Sequence, residues 1–220
     1  ASAASDVYKR QNKVCGISTS STAQAARAAG ARYGGLIFAP DSPRSVSRET
    51  AHHIVAAEPG LDYVAVTRST DVNELKRLAD IPGLHAFQLH APFQGDLEGE
   101  RQLLRRAREA AGSLDIWRAV NMREADFAAL SGQPFSEVEA LVLDSGNGGT
   151  GTRFNWSTIP TEIKSKSFLA GGLHIGNLDE ALSVATAGLD LNSGLEYAPG
   201  RKDSALISQA FSAIRNYTHS

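Results

Sequence analysis

Short apolar runs alternate with amphipathic segments along almost the whole chain. The runs are typical of buried strands, and the segments between them place apolar residues at helical spacing. The predicted strands are residues 14–17, 33–38, 62–67, 84–89, 114–120, 140–143, 167–170 and 189–192. The predicted helices are residues 19–30, 48–57, 71–79, 97–111, 121–130, a short piece near 156–163, 178–187 and 203–217.

Several residues mark where these helices begin and end. Ser47 can cap the helix that follows it, and Gly30 is a helix-stop signal. Asn121 and Glu124, three residues later, match the capping-box pattern. This pattern is the basis for the helix predicted over residues 121–130.

The alternation itself predicts the fold class. Strands that alternate with helices pair in parallel, and about eight such units predict a single closed (β/α)8 barrel, or TIM barrel, in the α/β class. The alternative is an open doubly wound sheet, which usually has fewer strands and whose mononucleotide-binding half is not evident here.

Composition and charge narrow the functional class. The chain has 220 residues, 42% of them hydrophobic and 21% charged, which predicts one globular domain with a sizeable core. The net charge of -2 gives no sign of a nucleic-acid surface, and no apolar run approaches the roughly 18 residues of a membrane span. The single cysteine, Cys15, excludes an intrachain disulfide and fits a reducing, cytoplasmic location.

The first eleven residues differ from the rest of the chain. Residues 1–5 resemble a linker, and residues 6–11 resemble a translated sequencing adaptor, with an ordinary polar leader as the alternative. We therefore expect residues 1–11 to lie outside the fold and residues 12–220 to form the barrel.

In a (β/α)8 barrel the chemistry lies where strands end and the following loops begin. The candidates at these positions are Cys15, Arg44, His90 and Asp144. Each has a structural interpretation as well: a small buried thiol, a solvated loop arginine, a satisfied strand-end histidine and a capping or salt-bridged carboxylate. Prolines stiffen the loop that carries Arg44, which favours a fixed anion clamp.

Glycines follow the last two predicted strands. Gly171 and Gly172 end the seventh strand, and Ser193 and Gly194 end the eighth. These loops are the usual phosphate site of such barrels, and glycine lets backbone N–H groups approach an anion closely. The structural alternative is that the glycines only make tight turns.

Two further patterns argue against cofactors. Residues 146–151 match G-x-G-x-x-G, the fingerprint of a dinucleotide-binding turn. However, no helix opens directly after them and no acidic strand end follows. We therefore interpret this segment as a mobile loop that covers a site. His85 and His90 lie an odd number of residues apart on a strand and so face opposite sides, and no other metal-ligand spacing occurs. We expect neither a metal nor an organic cofactor.

Taken together and in order, the motifs resemble those of phosphoribosylanthranilate isomerases of tryptophan biosynthesis. They look most like the isomerase half of fused indole-glycerol-phosphate synthase/isomerase proteins. The matching segments are residues 13–17 (KVCGI), 35–44 (GLIFAPDSPR), 88–90 (QLH), 143–151 (LDSGNGGTG), 169–173 (LAGGL), 190–196 (DLNSGLE) and 199–203 (PGRKD). Two departures touch the mouth of the barrel: Ala91-Pro92 stand after His90 where glycine is common, and Thr67 stands where an aromatic residue is usual.

The resemblance implies a cofactor-free Amadori rearrangement. An acid opens the furanose ring, and a base takes the C2′ proton from the resulting iminium. By resemblance Cys15 is the general base and Asp144 the general acid. Arg44 would bind the anthranilate carboxylate, and His90 and Asp190 would line the pocket.

The resemblance also implies where the phosphate lies and which partners to expect. Backbone N–H groups near Gly171, Gly172, Ser193 and Gly194 would hold the phosphate of a small substrate. An indole-glycerol-phosphate synthase domain would be fused upstream in the parent gene, and neither nucleic acid nor membrane is a partner. The alternatives are a histidine-pathway Amadori isomerase, which usually uses two aspartates, and a catalytically inactive phosphate-binding barrel.

Overall fold

The computed structural model of the chain describes residues 11–146 and 154–217. Eight parallel strands pair in chain order, and the last pairs with the first, which closes the barrel. The prediction of a (β/α)8 barrel is therefore confirmed. The strands are β1 (Lys13–Val14), β2 (Tyr33–Phe38), β3 (Asp62–Thr67), β4 (Leu84–Leu89), β5 (Asp115–Asn121), β6 (Ala140–Asp144), β7 (Ser167–Leu169) and β8 (Gly188–Leu191).

α-Helices and short 3₁₀ segments pack around the outside of the barrel. The α-helices are α1 (Ser20–Ala29), α2 (Arg48–Ala57), α3 (Val72–Ala79), α4 (Leu97–Ala111), α5 (Leu178–Ser183) and α6 (Ser204–Asn216). Local sequence sets their ends as predicted: the Ser47 hydroxyl accepts from Thr50 N–H at 3.0 Å, and Gly30 ends α1 with φ at 109°.

The helix predicted over residues 121–130 is wrong. The Asn121 side chain accepts from the N–H of Arg123 at 3.1 Å and makes a turn, so the capping-box pattern caps no helix. Helical turns return only as 3₁₀ segments at Ala129–Ser131 and Phe135–Glu137. The short piece near residues 156–163 is likewise 3₁₀, as Trp156–Thr158 and Thr161–Lys166.

Other bounds shift by smaller amounts. The helix predicted to Ala187 ends at Ser183, and Ala185 has a positive φ of 64°. After β8 the chain forms a hairpin that the pattern did not predict, β9 (Glu196–Ala198) and β10 (Arg201–Lys202), with Gly200 turning at φ 77°.

Aromatic side chains fill the end of the barrel where the strands begin. Tyr33, Trp117 and Phe168 lie early in β2, β5 and β7, and their rings contact one another at centroid distances of 4.7–5.6 Å. Aliphatic side chains pack between the sheet and the helices. Because these rings fill the interior below, the described part of the barrel leaves room for a ligand toward the carboxyl ends of the strands.

Gln11, the residue before the predicted start at Asn12, is the first described residue and already contacts the barrel. The N–H of Gln11 donates to the Ala187 carbonyl at 3.2 Å, and its side-chain oxygen accepts from the Tyr33 hydroxyl at 2.7 Å. Residues 1–10 lie outside the described residues, so the leader stays a prediction. Within the part of the chain that the structure describes, every helix is too short or too polar to cross a bilayer.

Candidate active site

A cavity of about 290 Å³ opens at the carboxyl ends of the strands. Of the predicted site residues, all but Gly194 line it: Cys15, Arg44, His90, Asp144, Gly171, Gly172, Asp190 and Ser193. A larger neighbouring cavity, of about 640 Å³, shares His90 and Asp144 but neither Cys15 nor Arg44. The smaller cavity therefore holds the chemistry-bearing side chains and is the candidate active site.

Cys15 directly follows β1 and is a free thiol, 5% exposed. Its N–H donates to the Leu191 carbonyl at 2.8 Å, which anchors it between β1 and β8. Gly35 on β2 leaves room for the thiol, because a Cβ added there would stand 2.7 Å from the Cys15 Sγ. Burial raises the pKa of the Cys15 thiol, and the charge of Lys13 offsets part of that rise.

Lys13 is completely buried and was missed as a functional residue. Its ammonium donates to Asp190 Oδ2 at 2.9 Å and to Gln88 Oε1 at 2.8 Å. Burial alone lowers the pKa of Lys13, but the charges of Asp190 and Cys15 raise it overall, so the lysine stays charged. One feature of the sequence could have identified Lys13. It is a charged residue in the apolar first strand, two positions from Cys15 and therefore on the same face.

Asp144 is the last residue of β6. Its Oδ1 accepts from Gly146 N–H at 3.3 Å and from the Ser145 hydroxyl at 3.4 Å. A Cβ on Gly171 would stand 2.7 Å from the same oxygen, so glycine lets the loop after β7 pass close to the carboxylate. β6 is separated from β1 by β7 and β8, and Asp144 faces the cavity from a different side than Cys15.

His90 stands exposed at the mouth of the cavity, directly after β4. Its N–H donates to the Thr67 carbonyl at 2.8 Å, which fixes the start of its loop to β3. The side chain is thus placed where a ligand entering the cavity would pass it.

Arg44 is held by a carboxylate that was not singled out from the sequence. Its Nε and Nη2 donate to Glu196 Oε2 and Oε1 at 2.9 and 2.6 Å. Lys202 donates to the same carboxylate at 2.7 Å and to Asn192 Oδ1 at 2.8 Å. Burial would raise the pKa of Glu196, but hydrogen bonds from Arg44 and Lys202 lower it overall. Within residues 11–146 and 154–217, Nη1 of Arg44 has no partner and is available to a ligand.

The glycine loops after β7 and β8 touch each other. Gly171 and Gly172 have positive φ values of 86° and 68°, and Ser193 begins a 3₁₀ turn. A Cβ on Gly194 would overlap the carbonyl oxygen of Leu173. The contact between the two loops therefore requires glycine at 194, whatever ligand the loops hold.

Two further predictions concern a covering loop and the absence of a metal site, and both stay predictions. The G-x-G-x-x-G segment begins at Gly146, with φ at 85°, and residues 147–151 lie outside the described residues, so the covering loop stays a prediction. Among the residues that the structure describes, no group of three or more His, Cys, Asp or Glu could hold a metal ion.

The decisive comparison is with a family model. Residues 12–213 match the model of N-(5′-phosphoribosyl)anthranilate (PRA) isomerase, which is nearly the whole barrel. The chain belongs to the PRA isomerase family. Membership in this family fits the cavity, where the thiol and the carboxylate named by the resemblance lie together, and it does not favour the histidine-pathway alternative.

Similar proteins agree with PRA isomerase membership. The chain is 44% identical to the tryptophan biosynthesis protein TrpCF of Corynebacterium glutamicum over 98% of its own length and 46% of that protein. It is 38% identical to TrpCF of Salmonella typhi, over 94% of this chain and 44% of that protein. The chain thus spans about half the length of the curated relatives it matches.

A solved PRA isomerase has the same fold. The crystal structure of phosphoribosyl anthranilate isomerase from Thermus thermophilus superposes with a TM-score of 0.77 at 28% identity, over 92% of this chain and 97% of that one.

Proposed function

We propose that this chain converts N-(5-phosphoribosyl)anthranilate to 1-(2-carboxyphenylamino)-1-deoxyribulose 5-phosphate, an isomerisation of tryptophan biosynthesis. The observation that carries the proposal is the PRA isomerase match over residues 12–213, combined with Cys15 and Asp144 in one cavity. The reaction moves hydrogen within one molecule, so no oxidant or reductant is consumed and no cofactor is needed.

In the first step Asp144 acts as a general acid. It donates a proton to the furanose ring oxygen, the C1′–O bond breaks, and the anilino nitrogen supplies the electron pair that forms the iminium. Gly146 and Ser145 donate to one oxygen of Asp144, and its other oxygen, which has no partner among the described residues, can face the cavity.

In the second step Cys15 acts as a general base. Its thiolate takes the C2′ proton, and the C2′–H electron pair neutralises the iminium to give an enolamine. Protonation at C1′ and loss of the C2′ hydroxyl proton then give the ketone. Because Cys15 and Asp144 face the cavity from different strands, one substrate can meet both groups without turning over.

Binding groups at either end of the cavity orient the substrate. Arg44, fixed by Glu196, presents Nη1 to the anthranilate carboxylate. Backbone N–H groups of the loops around Gly172 and Ser193 hold the phosphate. Between them, Oδ1 of Asp190 has no partner among the described residues and can accept from a ribose hydroxyl, with His90 at the mouth.

The proposal extends to the parent protein. Because the TrpCF relatives are about twice as long as this chain, we propose an indole-glycerol-phosphate synthase domain as the fused partner. A cytoplasmic location goes with this proposal, since a catalytic Cys15 must remain unoxidised.

The test is an assay of phosphoribosylanthranilate fluorescence. We expect the fluorescence to decay when the enzyme is added, and no decay with a Cys15→Ala/Asp144→Asn double variant purified in parallel, which controls for host isomerase. Decay no faster than with the double variant would reject the proposal. Conversion of the histidine-pathway Amadori substrate instead would favour the alternative.

A further inference from the structure

Behind the residues that line the cavity lies a charged side chain to which the proposed reaction assigns no role. Lys13 has no solvent exposure, and its ammonium is fixed by Asp190 and by Gln88 at 2.9 and 2.8 Å. Burying an ammonium costs several kcal/mol in desolvation, and the pairing with Asp190 and Gln88 offsets that cost here. Lys13 itself is not among the residues that line the cavity, so it does not meet the substrate directly.

Lys13 and Cys15 lie next to each other on the same side of β1. A Cβ added to Gly35 would stand 2.7 Å from the Cys15 Sγ and 3.1 Å from the Lys13 Cε, so both side chains pass the same point. Two residues apart on an extended chain, they project to the same face. The Lys13 side chain therefore passes close to the thiol, and both groups are buried.

We propose that Lys13 is a positioning residue for catalysis: its ammonium, fixed by Asp190 and Gln88, stabilises the Cys15 thiolate that accepts the substrate proton. This inference rests on the proposed function for the reaction, but its electrostatic part concerns only residues of this chain. The fixed ammonium supplies the charge in advance, so no solvent has to reorganise when the thiolate forms.

Two other charged side chains act on the thiol. Lys202 on β10 also favours the thiolate, and Asp190 on β8 opposes it. Lys13 has the largest effect of the three on the pKa of Cys15, ahead of Asp190 and Lys202, and only burial outweighs it. His90 and Asp144 line the far side of the same cavity. Removing Lys13 therefore takes away the largest effect that opposes burial and raises the pKa of Cys15 further.

Cys15 is the only cysteine of the chain, so alkylation reports on it alone. We would measure the rate of iodoacetamide alkylation against pH for the wild type, for Lys13→Met and for Lys76→Met. Lys76 is a matched control because its ammonium pairs with Glu109 on the surface, half-exposed. The expected result is an alkylation midpoint about 1 pH unit or more higher in Lys13→Met and unchanged in Lys76→Met.

Lys13→Met leaves Asp190 unpaired and can fail to fold. A Lys13→Met/Asp190→Asn variant removes both charges, and its midpoint should still lie above that of the wild type, though by less. A midpoint at or below the wild-type value in the folded double variant, or an unchanged one in folded Lys13→Met, overturns the proposal.

Kinetics separate this proposal from the proposed function. Lys13→Met should lower kcat at least about 10-fold with little change in KM, since Lys13 stabilises the base and does not bind substrate. A normal kcat in Lys13→Met overturns the inference and leaves the isomerase function standing. A wild type without isomerase activity rejects the function, while the alkylation midpoints still decide whether Lys13 stabilises the thiolate.

Discussion

Arg44 and Glu196 join the loop after β2 to the hairpin after β8 through two parallel hydrogen bonds of 2.9 and 2.6 Å. The Glu196 carboxylate is almost fully buried and also pairs with the Lys202 ammonium. One anion therefore holds two cations at the rim of the cavity. Arg44 is thereby pre-oriented before any substrate carboxylate arrives, which lowers the entropic cost of binding it.

Replacing Glu196 by Gln should destabilise the fold and weaken substrate binding. Two cations lose their common anion, so we expect the free energy of unfolding at neutral pH to fall by about 3 kcal/mol and KM to rise. Urea unfolding and steady-state kinetics measure the two effects. Glu109→Gln, which breaks only the exposed pair with Lys76, should change neither.

The effect of Glu196→Gln should depend on pH. Because folding lowers the pKa of Glu196 from its ordinary value of 4.5, its stabilising contribution is present above that pH. The contribution is lost as pH falls through the folded-state pKa. The stability difference between wild type and variant should therefore shrink on acidification, and a constant difference would contradict the ion-pair explanation.

Cys15→Ala should lower kcat at least about 100-fold, because proton abstraction from carbon needs a positioned base. The melting temperature should change little, since alanine also fits a small buried site. Near-wild-type turnover would remove Cys15 from the mechanism and return it to a packing role.

Asp144→Asn should reduce kcat far more than it weakens product binding, because the amide keeps the shape but cannot donate the required proton as an acid. Stopped-flow turnover and product titration separate the two quantities. Equal losses of kcat and of product affinity would indicate that Asp144 only stabilises the loop after β6, which Gly171 approaches.

The phosphate site is better tested at Gly172 than at Gly194. A substitution at Gly194 would disturb the fold itself, because a side chain there would overlap the Leu173 carbonyl oxygen. Gly172 has φ at 68°, which alanine adopts at a cost of about 1 kcal/mol. Gly172→Ala should raise KM at least about 10-fold, the loss of one charge-assisted hydrogen bond.

Gly112→Ala serves as the control, since Gly112 has φ at 60° and open space around it. Crystals grown in sulfate should also show an anion between the loops after β7 and β8. An anion found only beside Arg44, or unchanged KM in Gly172→Ala, would place the phosphate elsewhere.

Chelation should leave turnover unchanged, because the proposed acid–base chemistry uses only side chains of the chain. The measurement is isomerase activity before and after dialysis against EDTA. Activity that falls in EDTA and returns with a divalent ion would contradict the cofactor-free mechanism.

The sequence by itself determined the order of the eight barrel strands and the strand ends at which the candidate residues lie. Largely apolar runs such as residues 62–67 and 84–89 coincide with β3 and β4, because strands buried on both faces of a parallel sheet are rich in apolar residues. Cys15 and Asp144 could be selected as candidates because each lies at the end of a predicted strand. A parallel barrel brings the carboxyl ends of all its strands to one face. Both inferences rest on local pattern and strand topology, which can be derived from a single sequence.

Tertiary structure alone decided which side chains pair. Lys13 contacts Asp190, 177 residues away, and Arg44 contacts Glu196, 152 residues away, so no local pattern marks either pair. The reason for glycine at 35 and 194 also lies in distant atoms, the Cys15 thiol and the Leu173 carbonyl. The helix predicted from Asn121 was wrong because its side chain caps a turn instead. Burial and charge around the thiol depend on such long-range contacts, which exist only once the barrel has closed.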